Sequence, residues 1–270
     1  MIPGIVFSDV DGTLLDSRHR VLPGTVYAIG ALRARGIPFV IVSARGPSQL
    51  RPILREYRFS CPMICYSGAL ILDRDEKVLF SDGFSRQTAL EIVRFIEGGG
   101  LDCTWNVYAM DTWIVKDRSD ARVRREERIV GTPASEGSAY DLPCDAKVGK
   151  ILCMCEPDGT LGVEQALKSA FPGMSIARSS DILVEIMKGG VTKRTGIEAL
   201  CGLWGIPMER TLAFGDHYND VEMLDAAGMP VLMGNAPKAL RDRYARVTAG
   251  NDDEGIYRAL ADMGVIPRQS

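Results

Sequence analysis

Apolar runs of strand length alternate with segments of helical period at both ends of this chain, and that alternation stops for about a hundred residues in between. Strands separated by helices pair in parallel and need helices on their faces, so the two ends together predict one covered parallel sheet. At the amino end, an apolar run over residues 2–8 leads into a glycine-containing loop. Residues 23–35 then space Val26, Ile29 and Leu32 helically before Gly36. Residues 39–42 and 63–65 predict two further strands around a helix over 47–57. At the carboxyl end the spacing predicts helices over 193–204, 220–226 and 237–244, strands over 211–214 and 231–233, and a closing helix after Gly255.

The middle follows a different grammar. Short apolar runs at 70–72 and 78–80 flank Asp73-Arg74-Asp75-Glu76, which predicts a hairpin. A helix over 88–96 follows. Strands over 103–108, 112–115, 148–155, 175–178 and 182–187, with helices near 118–129 and 161–169, then suggest a separate α+β unit. The expected organisation is α/β: a Rossmann-like core from residues 1–82 and 189–270, with an α+β domain of residues 83–188 inserted between them.

Composition narrows the class. Hydrophobic residues make up 46% and charged residues 25% of the 270, the balance of a globular protein. No apolar stretch approaches the roughly 20 residues of a membrane helix. The first residues lack a basic leader and resemble the start of a strand, so a cytoplasmic location is expected. Lys and Arg total 32 against 35 Asp and Glu, a balance that argues against a nucleic-acid partner. The seven cysteines form no paired CxxC framework and are expected to pack as small hydrophobes in a reducing compartment.

Three stretches and one lysine carry chemistry. In Asp9-Val10-Asp11-Gly12-Thr13, two carboxylates leave the first strand where a parallel sheet collects its ligands, which suggests a metal; an Asp-Gly turn with solvated acids is the simpler alternative. A second apolar strand runs into Gly215-Asp216-His217-Tyr218-Asn219-Asp220, so Asp216, Asn219 and Asp220 also fall at the carboxyl edge, although Asn219 or Asp220 could equally cap the next helix. Two acidic loops at one edge could cage Mg²⁺. In Ser43-Ala44-Arg45, a hydroxyl precedes a helix start, an anion site or an ordinary cap. Lys193 begins a helix where the insertion rejoins the core, and its cation would balance the acids and a phosphate, unless it is simply an exposed lysine.

Together these residues resemble the haloacid dehalogenase superfamily, in its Cof-type sugar-phosphate phosphatase branch. Asp9-Val10-Asp11-Gly12-Thr13, Ser43-Ala44-Arg45, Lys193 and Gly215-Asp216 through Asn219-Asp220 occur in the family's order. Supporting phrases are Ser67-Gly68-Ala69, Met233-Gly234-Asn235-Ala236 and Asp253-Glu254-Gly255-Ile256. The long gap between Ser43 and Lys193 places the cap after the second motif, as in the Cof-like branch. Ser43 replaces the commoner Thr and keeps the hydroxyl; Ser67 replaces a usual Asn.

The resemblance implies a phosphomonoester hydrolase of small phosphorylated metabolites, sugar phosphates among them. Asp9 would be the nucleophile, forming an aspartyl-phosphate, and Asp11 the general acid-base group. Ser43, Ala44, Arg45, Lys193 and Asn219 would bind substrate. Mg²⁺ would be held by Asp9, Asp11 through its backbone carbonyl, and Asp216, with Asp220 ordering the loop. A phosphomutase of the phosphomannomutase type shares this core and cap position, and a non-catalytic phosphate sensor is the alternative from another class. Neither the natural substrate nor the oligomeric state is encoded in a readable motif.

Overall fold

A computed structural model describes residues 2–269. The chain divides into two compact units. The first comprises the residues up to Ala44, Ile53–Phe80, and those from Thr192 onward; the second comprises Arg45–Pro52 and Ser81–Val191.

The first unit is built on a seven-stranded sheet. Its order is Met229–Leu232, Thr211–Gly215, Ile5–Ser8, Phe39–Val42, Met63–Cys65, Leu70–Leu72 and Val78–Ser81. The first five are parallel neighbours, and Leu70–Leu72 pairs antiparallel with Met63–Cys65. Ile-Val-Phe-Ser and Phe-Val-Ile-Val are buried at every position, which is why both are apolar without alternation. Ile5, Phe7, Val40 and Val42 pack with Ile197 and Leu200 of helix Lys193–Trp204 and with Met223 and Leu224 of helix Val221–Ala226. Each such side chain contributes about 1.5–3 kcal/mol by leaving water. From Ile5–Ser8 the chain steps to Phe39–Val42 on one side and returns much later to Thr211–Gly215 on the other. Strand order reverses there, and the carboxyl ends of Ile5–Ser8 and Thr211–Gly215 lie side by side, with Ser8 opposite Phe214. An open α/β sheet has its ligand crevice at such a switch point.

The second unit holds a six-stranded sheet in the order Met174–Ser180, Leu183–Lys188, Lys150–Cys155, Cys103–Ala109, Thr112–Val115, Ser135–Glu136. All pairs are antiparallel except the last. Helices Arg86–Gly98 and Thr160–Ala170 cover one face, burying Ile92, Val93, Val163 and Leu167 against Val107, Ile151 and Ile186.

Three segments depart from the sequence reading. The strand expected over 148–155 is broken at Gly149: Lys147–Val148 pairs with Phe84–Ser85, and only Lys150–Cys155 joins the large sheet. The helix expected over 237–244 spans Lys238–Arg241 alone. It stops because the following chain turns back onto the sheet, where Arg246 accepts from the Leu232 N–H at 3.0 Å and Thr248 donates to the Leu232 carbonyl at 2.9 Å. The helix expected from Asp220 begins as a 3₁₀ turn, Tyr218–Asp220, before Val221–Ala226. Among the described residues no helix is long and apolar enough to cross a membrane.

Candidate active site

Asp9 follows directly on the buried strand Ile5–Ser8, and its N–H extends the parallel ladder by donating to the Phe214 carbonyl at 3.0 Å. The loop then closes on itself, with the Leu15 N–H donating to the Val10 carbonyl at 2.9 Å. Gly12 has φ +83°, and a Cβ there would overlap the Asp216 carboxylate. The motif's glycine is therefore demanded twice, by backbone conformation and by the approach of the second acidic loop.

That second loop leaves Thr211–Gly215. One oxygen of the Asp216 carboxylate accepts from the Thr13 hydroxyl at 2.9 Å, and the other from the Asn235 amide at 3.3 Å. Asp220, fully buried, folds back on its own loop: its Oδ2 accepts the backbone N–H groups of Asp216 and His217 at 2.9 and 3.0 Å. Its Oδ1 accepts from the Lys193 ammonium at 2.6 Å. Lys193 also donates to Asp9 Oδ1. Carboxylate oxygens of Asp9, Asp216 and Asp220 lie within 4.8 Å of one another.

Lys193 occupies the first turn of helix Lys193–Trp204, behind a capping box between Thr192 and Thr195. A cation there opposes the helix dipole. Burial alone would lower its pKa, but the carboxylates of Asp220 and Asp9 outweigh that and raise it. Burial first, and then Asp220, push the Asp9 carboxyl well above its usual range, with Lys193 pulling it the other way. The same two causes raise Asp216 to about 6. Three carboxylates and one ammonium carry a formal charge of −2 in this crowded space. The donors are hard oxygens, and excess negative charge with elevated carboxyl pKa values is what a divalent cation relieves, so this set fits Mg²⁺.

Ser43 is buried at the end of Phe39–Val42; its N–H donates to the Ile64 carbonyl at 2.8 Å and its carbonyl accepts from the Ser67 N–H at 2.9 Å. Tyr66 and Ser67 both have positive φ, 51° and 53°, so a tightly wound turn is tethered to the Ser43 strand. Ala44 and Arg45 are partly buried, while Asp11 and Asn219 are exposed. His217 stands outside the carboxylate group, with its ring edge-on to Tyr218.

Sequence reasoning missed the clamp on these loops. Asn235, in the Met233-Gly234-Asn235-Ala236 segment, donates to the Gly12 carbonyl at 2.9 Å and to Asp216, while its own oxygen accepts the Asn251 N–H at 3.0 Å. Glu254 caps helix Pro23–Ala34 by accepting the N–H groups of Gly24 and Thr25 at 2.7 and 2.8 Å.

The profile of the haloacid dehalogenase-like hydrolases matches residues 6–260. The chain belongs to that family. A Haemophilus influenzae protein provisionally named a phosphatase is 32% identical over 269 residues, covering 95% of this chain and 97% of its own length. A solved haloacid dehalogenase-like hydrolase from Bacteroides thetaiotaomicron has a TM-score of 0.88 at 22% identity, over 97% of this chain and 99% of that one. A subclass IIB sugar phosphatase, BT4131, has a TM-score of 0.79 at 23% identity, over 97% and 99%. The two solved structures share with this haloacid dehalogenase-like hydrolase its fold.

Proposed function

We propose that this haloacid dehalogenase-like phosphatase hydrolyses phosphomonoesters of small metabolites, sugar phosphates among them, through an aspartyl-phosphate. The observation that carries the reading is the convergence of Asp9, Asp216, Asp220 and Lys193 at the sheet's switch point. Asp9 is the nucleophile. One of its carboxylate oxygens bonds to phosphorus as the bond from phosphorus to the alcohol oxygen breaks, and Asp11 gives that oxygen its proton. Asp11 then takes a proton from the water that attacks the aspartyl-phosphate, which releases phosphate and restores Asp9. Dividing the reaction in this way replaces one difficult step with two easier ones.

Ser43 and Lys193 hold phosphoryl oxygens, the first by its hydroxyl and the second by its ammonium, with Ala44, Arg45 and Asn219 completing the substrate contacts. Asp9, the Asp11 backbone carbonyl and Asp216 hold Mg²⁺. The cation, when bound, offsets the charge of the phosphoryl group and of its nucleophile. Asp220 positions: both its oxygens are engaged by Lys193 and two N–H groups, so it fixes the ammonium and the Asp216 loop. The domain of residues 83–188 is the cap that selects the substrate, and the enzyme works in the cytoplasm.

Phosphate release from a panel of sugar phosphates, nucleotides and cofactor phosphates, with and without EDTA, tests the reading. Mg²⁺-dependent release that Asp9→Asn abolishes is the expected result. Phosphoryl transfer between positions of a sugar without net release would overturn it in favour of a mutase.

A further inference from the structure

The amino edge of the same sheet carries a second feature that the proposed chemistry does not use. A half-open cavity of about 460 Å³ lies beside Phe39 and Pro62, where two of the parallel strands begin. Asp9 and Asp216 sit at the opposite, carboxyl edge. Its walls are apolar and aromatic, including Ile29, Ile37, Tyr57, Phe59 and Trp204. Volume and lining are those of a small-molecule site, since such sites span about 300–1,000 Å³ and are mostly apolar with a few placed polar groups.

Two local choices keep this cavity open and charged. Gly30 lies inside helix Pro23–Ala34, where glycine weakens the helix relative to alanine. It lines the cavity, and a Cβ there would meet nothing within 4 Å. Arg58 also lines it, in the left-handed region at φ 53°, past the end of helix Pro47–Glu56, where glycine or asparagine is the usual residue. Both residues go against local preference at the same cavity.

The rim is cationic. Arg33, Arg58 and Arg74 line it with a single acid, Asp73. That acid is already engaged: its Oδ1 accepts the N–H groups of Asp75 and Lys77, both at 2.9 Å. Arg74 meets Asp75 only at 3.6 Å on the open surface, and among the described residues no carboxylate pairs with Arg33 or Arg58. Exposed pairs of this kind hold little energy, so the guanidinium groups are available to an incoming anion.

We propose that this cavity is a second ligand site, for a small organic anion with a flat apolar body and one carboxylate, sulfonate or phosphate group. The body stacks among Tyr57, Phe59 and Trp204, and the anion meets the arginine rim.

The probe is 8-anilinonaphthalene-1-sulfonate, titrated by fluorescence and calorimetry into the full chain, with neutral N-phenyl-1-naphthylamine as its uncharged counterpart. The expected result is one saturable site per chain, at which the neutral compound binds at least about tenfold more weakly. Gly30→Leu should fill the cavity and Arg58→Gly should remove a guanidinium while relaxing the backbone. Each should weaken binding at least about tenfold and leave phosphate release from p-nitrophenyl phosphate unchanged, with melting temperatures at or above that of the parent. Wild-type affinity in both variants, equal binding of the neutral compound, or unsaturable binding would overturn the proposal.

Discussion

Lys193 and Asp220 form an ion pair that is almost wholly out of water, with Nζ 2.6 Å from Oδ1 and side-chain exposures of 2% and 0%. Removing one member of such a pair leaves a buried charge without its partner, which costs about 3–5 kcal/mol. Lys193→Met should therefore lower thermal stability by roughly that amount in the absence of metal, because Asp9 and Asp220 lose a shared cation. Mg²⁺ should recover part of the loss. Calorimetric melting with and without Mg²⁺ checks this, and an undiminished melting temperature in metal-free buffer would show that the cluster's charges are balanced elsewhere.

Asp9→Asn should abolish turnover, because a carboxamide cannot form the acyl phosphate, while circular dichroism shows the fold intact. Deamidation back to Asp must be excluded by mass spectrometry. Asp11→Ala should slow turnover by about 10²–10⁴, the range for a positioned acid-base group. The deficit should shrink with a leaving group that needs no proton. An Asp11→Ala rate equal to the parent's on an alkyl phosphate would remove Asp11 from the acid role.

The parts of the fold legible in the sequence are those set by local period and composition. Phe39–Val42 and Met63–Cys65 were recognisable because doubly covered strands need unbroken apolar runs, and the helix over residues 193–204 because it places Ile197, Leu200 and Cys201 on one face. The family's motifs add the acids, in order. What the sequence hides is contact between distant segments. Glu254 caps a helix that starts some 230 residues earlier, and no pattern within residues 20–25 announces that cap, since Leu22 supplies none. The overlong helix near residue 240 fails for a similar reason, as the strand partner that ends it lies outside any helical window.

Asn235 illustrates the same point at the active site and yields its own prediction. It bridges the two acidic loops by donating to the Gly12 carbonyl and to Asp216. Groups that orient metal ligands typically matter by 10–100-fold in affinity. Asn235→Ala should raise the Mg²⁺ concentration for half-maximal activity by about that factor, while kcat at saturating Mg²⁺ changes much less. Equal losses in both quantities would instead indicate a direct part in chemistry.

The last prediction concerns pH. Burial, and then the Asp220 carboxylate, raise Asp216 to about 6, against about 3.9 for an unfolded aspartate. Between these values the folded state binds more protons, so Asp216 contributes stability that is fully present below about pH 4 and lost as pH rises through 6. In metal-free protein near neutral pH the ionised carboxylate is thus a net burden. Asp216→Asn, which resembles the protonated acid in shape and charge, should melt higher than the metal-free parent at pH 7.5, with the difference shrinking as pH falls toward 4. Mg²⁺ should reverse the order, because only the parent adds the Asp216 charge to that of Asp9: it should stabilise the parent at pH 7.5 more than the variant. Bound Mg²⁺ competes with the Asp216 proton, so its apparent affinity for the parent should weaken as pH drops below about 6. Melting curves of both proteins across pH 4.5–7.5, with and without Mg²⁺, measure all three effects. A parent whose metal response is flat across that range would show that Asp216 does not exchange its proton for the cation.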